Sequence, residues 1–253
     1  MKLWQLKKDQ LSVKEFLKGW WWLTAIVLIA VVIVAYQILI VNEIKRTKWN
    51  KLLATNNVGA ELASSPLKPI PGFSKDDIIS GNSSAKARLI MYIDFTCPFS
   101  AELFQTLKLA RAEHGDNLAI AWRMFPLAGQ QDANSAATAF ICVAKQGYTD
   151  QMMEKLFSMQ VTGEFAPAKY RQVALELGVK LDNYDECVES AETLASITVQ
   201  KNEAEMAGVI GTPHTFTVHG NYPGALPMED FTDSLGVKRP GLKSIVDKML
   251  LNK

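Results

Sequence analysis

The sequence predicts an α/β domain, a small sheet interrupted by a mostly helical insertion, carried behind one N-terminal transmembrane helix. Three observations carry this. An uncharged run, "WWWLTAIVLIAVVIVAYQILIV", fills residues 20–41. The segment "RLIMYIDF" then "PFSAELFQTLKLARAEHG" then "NLAIAWRMF" reads as strand, helix and strand. Apolar residues next recur at helical spacing from about Asn134 to Ala207, before a strand at "TPHTFTVHGNY" and a closing helix at "LKSIVDKMLL".

The apolar run has no charge between Lys18 and Glu43. As a helix it would span roughly 33 Å, enough for the hydrocarbon core of a bilayer. Trp20, Trp21 and Trp22 at one end and Tyr36 towards the other resemble interfacial aromatics. "YQILIVNEIKR" offers no small-residue cleavage site, so the run reads as an uncleaved anchor and not a signal peptide. Lys2, Lys7, Lys8, Lys14 and Lys18 precede it, and Lys45, Arg46, Lys48 and Lys51 follow it. That balance leans only slightly towards a cytoplasmic N-terminus.

Residues 42–74 read as a stalk, because "SSPLKPIPGF" places three prolines in close order and favours an extended connector. The remaining chain, residues 75–253, is one domain, with the helical insertion at about 132–208. The strand from Arg88 and the strand "NLAIAWRMF" flank one helix, an order that implies a parallel pair with a right-handed crossover. That helix begins with Pro98 at its first position and stops at Gly115, the usual asymmetry of helix ends. Phe99, Leu103, Leu107 and Ala110 fall on one face of it.

Composition excludes some functions. Of 253 residues, 27 are Lys or Arg and 26 are Asp or Glu, which gives no sign of a nucleic-acid partner. No Gly-rich phosphate loop or Ser-His-Asp arrangement stands out. His114, His214 and His219 are scattered, so neither a metal nor another cofactor is expected. Three cysteines are too few for a disulfide-stapled small fold, and the odd count suggests one pair with one thiol left over.

Cys97 is the chemically pointed residue. It sits where a strand turns into a helix, and a helix N-terminus offers unpaired N–H groups and the positive end of the dipole. Such a place favours thiolate over thiol, and the thiolate is the attacking species in disulfide exchange. Pro98 is compatible with that position, since its missing N–H would be unpaired anyway.

"MYIDFTCPFS" followed much later by "GVIGTPHTFTVHG" resembles the DsbA family of thioredoxin-fold thiol–disulfide oxidoreductases. The order of elements agrees, and the likeness extends from about Asp77 to the C-terminus. It implies a thioredoxin-like fold with Cys97, Pro98, Phe99 and Ser100 as the active-site motif. It also implies that the Thr212–Pro213 bond is cis and lies opposite the cysteine, with the backbone at Thr212 available to an extended substrate chain. Asp94 matches an acid common in the family and could serve the active site or simply hydrogen-bond the turn. His214 is a candidate for tuning the thiolate, set against the plain alternative of a surface strand histidine. Some DsbA-like relatives carry a disulfide across the insertion, and Cys142 and Cys187 are compatible with one. The alternative is two buried reduced cysteines. A bridge there would close a loop of about 45 residues, contributing about 4 kcal/mol by chain entropy.

Ser100 departs from the family, where a second cysteine would resolve the mixed disulfide. A serine hydroxyl cannot form that bond. Three explanations fit: a Cys→Ser replacement made to trap a mixed disulfide, a natural monothiol enzyme, or loss of redox activity with the fold kept for binding. The expected function is therefore disulfide exchange through Cys97 on substrate proteins with thiols or disulfides, completed by a redox partner or small thiol. The alternative is a non-catalytic envelope protein that uses the fold to hold a partner chain. Disulfide chemistry on an anchor favours an oxidising space. The expected location is the inner membrane, single-pass, with residues 1–19 cytoplasmic and the C-terminal domain in the periplasm.

Overall fold

In the computed structural model the described residues are 26–32, 36–37, 70, 72–130 and 132–251. The chain divides into two compact units, residues 1–65 and 66–253. In the first, residues 26–32 and 36–37 are helical, and the rest of the expected anchor at 20–41 lies outside the described residues. Among the described residues, no helix is long and apolar enough to cross a membrane.

The second unit is built on a five-stranded sheet in the order β1-β3-β2-β4-β5. Its strands are β1 (Ile78–Ser80), β2 (Ala87–Ile93), β3 (Leu118–Met124), β4 (His214–Thr217) and β5 (Gly220–Pro223). Helix α1 (Pro98–His114) joins β2 to β3, and these run parallel from Ala87 opposite Leu118 to Ile93 opposite Met124. The other neighbours pair antiparallel. Between β3 and β4 come α2 (Ala133–Ala144), α3 (Thr149–Thr162), α4 (Pro167–Glu176), α5 (Leu181–Glu189) and α6 (Ala191–Ala207). A short hairpin, β6 (Phe231–Thr232) with β7 (Lys238–Arg239), precedes the last helix, α7 (Leu242–Leu251).

β2 and β3 are almost wholly buried because both faces of the sheet are covered. On one face, Leu89, Met91, Ile93, Ile120 and Trp122 pack with α1, α7 and the insertion. An aromatic cluster fills the join: Phe95 lies 5.1 Å from Phe140 and 5.0 Å from Phe157, and Phe104 stacks 5.0 Å from Phe157. Each such side chain stabilises the fold by about 1.5–3 kcal/mol through burial. On the opposite face, Ile90, Tyr92, Ala121 and Phe216 meet Ala204 and Ala207 of α6.

The structure adds four points to the reading of the sequence. The buried stripe of α1 is Ser100, Leu103, Phe104, Leu107 and Ala110, so Phe104 takes the core place expected of Phe99. Spacings of three and four residues from Ser100 generate that stripe, and Phe99 falls one residue outside it. β1 was hidden from the sequence because it is only three residues long. The end of the expected stalk is not free: Ile70 and Phe73 pack on the second face of the sheet, with the Arg88 guanidinium over the Phe73 ring at 5.5 Å. Finally, His214 is buried within β4 and is no surface residue.

Candidate active site

Cys97 is the N-cap of α1, with extended backbone (φ −84°, ψ 119°), and Pro98 opens the helix. The first turn closes on the Cys97 carbonyl, which accepts from the amides of Ser100 at 3.1 Å and Ala101 at 3.2 Å. The turn before it is fixed from the other side, where the Cys97 amide donates to the Asp94 carbonyl at 3.1 Å. No side chain caps the helix, and its first turn carries no acid. The N-terminal field at Cys97 is therefore unopposed by a local carboxylate within the helix.

The Cys97 Sγ donates to the Thr212 carbonyl at 3.2 Å, across 115 residues of sequence. Thr212–Pro213 is a cis peptide bond. The thiol is 6% exposed, and the Thr212 hydroxyl beside this contact is buried without a hydrogen-bond partner among the described residues. The Pro213 carbonyl accepts from the Gly224 amide at 2.8 Å, which ties the loop to the strand pair behind it.

Ser100 is 1% exposed on the inner side of α1, and its Oγ accepts a long bond, 3.4 Å, from the Asp94 amide. Asp94 is also buried. Its Oδ1 accepts from the Thr96 amide at 2.8 Å and the Thr96 hydroxyl at 2.7 Å, and its Oδ2 accepts from the Leu127 amide at 2.7 Å. Of the two roles open to Asp94, the geometry displays the turn-fixing one, extended to the loop after β3. That loop is held again by Gln200, which accepts from the Met124 amide at 2.7 Å, and by Lys201, which donates to the Pro126 carbonyl at 2.9 Å.

The structure does not bring His214 to Cys97 by a hydrogen bond. Its Nε2 pairs with Asn221 Oδ1 at 3.1 Å and its ring stacks on Phe216 at 4.9 Å. Burial holds its pKa below the usual histidine value, with the Asn221 bond working weakly the other way. A neutral imidazole so placed supplies no charge to a thiolate. Phe99, next to Pro98 at the start of α1, is half-buried. Cys142 and Cys187 form a disulfide that joins α2 to α5, leaving Cys97 as the free cysteine.

One buried cluster went unread in the sequence. Arg123, next to the last residue of β3, makes two bonds of 2.9 Å to Asp77 and one of 2.6 Å to Glu203 on α6. It also donates to the Gly72 carbonyl at 2.9 Å and the Tyr92 hydroxyl at 3.2 Å, and that hydroxyl in turn donates to Glu203. Burial and Glu203 push the Tyr92 phenol up, so it stays protonated. The available signal was a lone arginine inside an apolar strand, since a buried charge must be paired.

A cysteine opening a helix between two parallel strands, facing a cis-proline loop across a helical insertion, defines a thioredoxin-type thiol site. The chain belongs to the DSBA-like thioredoxin domain family, whose model matches residues 88–236. Similar solved structures include a thioredoxin-like oxidoreductase from Silicibacter pomeroyi, 19% identical with a TM-score of 0.57 over 71% of this chain and 95% of that one. The thiol-disulfide exchange protein alpha-DsbA2 from Wolbachia pipientis gives 17% identity and a TM-score of 0.56 over 70% and 89%. At these identities the likeness is one of fold. Among curated relatives, the Na(+)/H(+) antiporter NhaA 1 of Mycolicibacterium vanbaalenii is 31% identical over 141 residues, 55% of this chain and 23% of that protein. The chain thus matches about a quarter of the length of such relatives, and transport is not carried over with the match.

Proposed function

We propose that this chain is a membrane-tethered thiol–disulfide exchange protein acting on protein disulfides through Cys97. The observation that carries the reading is the Cys97 thiol at the start of α1, 3.2 Å from the carbonyl that precedes cis Pro213. The Cys97 thiolate attacks one sulfur of a substrate disulfide. A new bond forms between Cys97 and that sulfur, the substrate S–S bond breaks, and the other sulfur leaves as thiolate. Loss of the S–H donor also frees the Thr212 carbonyl, which can then accept from the backbone of an extended substrate chain.

Ser100 limits the cycle. With a hydroxyl in the second position, the mixed disulfide waits for an external thiol, which attacks the substrate sulfur and releases Cys97 as thiolate. Partners of this reading are substrate proteins and a small thiol or redox protein. The uncharged run at 20–41 supports an anchor, with residues 1–19 cytoplasmic, a connector that begins at 42 and ends before Ile70 and Phe73 join the sheet, and the redox domain in the periplasm. The second reading, a binding protein that holds a partner chain without exchange, is favoured by one observation, the burial of Cys97 to 6% exposure.

Membrane fractions of cells making the full chain test both parts. Expected are reductant-sensitive species of higher mass on electrophoresis, absent in Cys97→Ala, with the chain retained after alkaline washing. Partner retention that is equal in Cys97→Ala and indifferent to reductant supports the binding protein instead. Release by the alkaline wash removes the anchor.

A further inference from the structure

A cavity of about 580 Å³ opens on the sheet face turned towards α6, lined by the entry segment and the turn from β4 to β5. That size suits a small molecule. Side chains two apart on a strand share a face, which places Arg88 beside Ile90 on β2 and Val218 beside Phe216 at the end of β4. Glu203 of α6 covers this face at Tyr92, and Arg88, further back along β2, is left exposed. Ile70 and Phe73 complete the lining, and no residue of the Cys97 site takes part.

Arg88 is the one charged side chain among the described residues that line the cavity. Its guanidinium lies over the Phe73 ring at 5.5 Å and meets no carboxylate among the described residues. The polar side chains nearby are engaged within the protein. Asn221 Oδ1 pairs with His214 Nε2 at 3.1 Å. The Thr217 hydroxyl donates to the Gly220 carbonyl at 3.1 Å and accepts from the His219 amide at 3.0 Å. An arginine laid on an aromatic face keeps its N–H edge open to a planar anion.

Charge and backbone pairing narrow the occupant. The lining carries one positive charge and no acid, which suits a monoanion and opposes a cation. β2 is bonded to β3 and β4 on its two sides, and β4 to β2 and β5. The floor therefore presents no row of free N–H and C=O groups to an added peptide strand. An inorganic anion would leave the apolar walls unused, and a plain hydrocarbon would leave the guanidinium without a partner.

We propose that this cavity binds an apolar monocarboxylate, with its carboxylate on Arg88 and its hydrocarbon chain against Ile90, Phe216 and Phe73. The probe is octanoate carrying a terminal diazirine. The full chain is irradiated over a range of probe concentrations and the labelled peptides are mapped. Expected are labels on the segments 70–73 and 216–221, displaced by octanoate roughly tenfold more effectively than by octanol. Half-saturation is expected to rise roughly three- to tenfold in Arg88→Gln, and less in Arg88→Lys, which keeps the charge. Arg88 is exposed, so Arg88→Gln should melt close to the parent and report on binding alone. Each methylene added between hexanoate and octanoate should tighten competition about two- to fourfold. Equal half-saturation in the parent and Arg88→Gln overturns the proposal. So does octanol that competes as well as octanoate, or labelling confined to segments away from the cavity.

Discussion

At the scale of residues, the site turns on what position 100 can do. Ser100 faces inward on α1, one turn from Cys97, and its amide already bonds the Cys97 carbonyl. Residues three apart at a helix start lie within the Cα range that a disulfide accepts. Ser100→Cys is therefore expected to close a bond with Cys97 and to shorten the life of the mixed disulfide. Quenching an exchange reaction with acid and following the mixed species by mass checks this; an equally persistent adduct in the variant contradicts it. His214 gives a pH prediction. Its folded pKa lies below the usual 6.5 because burial disfavours the imidazolium. The unfolded chain then binds the proton more readily, so this contribution to stability is full above about pH 6.5 and is lost as pH falls towards the folded value. Urea unfolding between pH 7.5 and 5 is expected to show a shallower acid loss in His214→Phe, which keeps a ring against Phe216.

At the scale of elements, the two strands around α1 were legible because each is a continuous apolar run ending at a turn. So was α1, from Pro98 and Gly115 at its ends. The cis loop and the Cys142–Cys187 pair came from resemblance, since no local pattern encodes either. β1 and the β6–β7 hairpin are too short to show a period. For His214 the sequence left two places open, because alternation within a four-residue strand says little about which face a neighbouring helix covers. The insertion depends visibly on its disulfide. α5 fully buries only Tyr184, with Leu181 and Val188 partly buried against the core, and the bond from Cys187 to Cys142 fastens it to α2. Replacing both cysteines by serine is expected to destabilise the domain by about 2–4 kcal/mol, read as a lower urea midpoint. Hydrogen exchange in α5 should rise more than in β2 or β3.

At the scale of the whole molecule, one buried ionic cluster joins parts far apart in sequence. Arg123 gathers the entry segment through Gly72 and Asp77, the central strand through Tyr92, and α6 through Glu203. Arg123 and Asp77 are both nearly inaccessible, so removing Asp77 strips the buried guanidinium of two bonds of 2.9 Å while Glu203 remains to pair with it. Asp77→Ala is expected to cost about 1–3 kcal/mol, which calorimetry would read as a fall in Tm. A fall no larger than that of an exposed pair such as Lys108 with Glu154 would show that the cluster does not hold the entry segment to the sheet. The same arrangement fixes the chain to the sheet at Asp77, before the strand that leads to Cys97.

The central claim is that Cys97 exchanges with disulfides although no second thiol stands beside it. Its most direct measurement is the intact mass of the purified chain after incubation with glutathione disulfide. One glutathionyl group is expected on the parent, on Cys97, removed by added thiol and absent in Cys97→Ala. Ser100→Cys should end instead as the unmodified chain with an internal disulfide. A parent chain that stays unmodified under conditions where a free peptide cysteine is fully converted would contradict the claim and leave the binding role as the function of the fold.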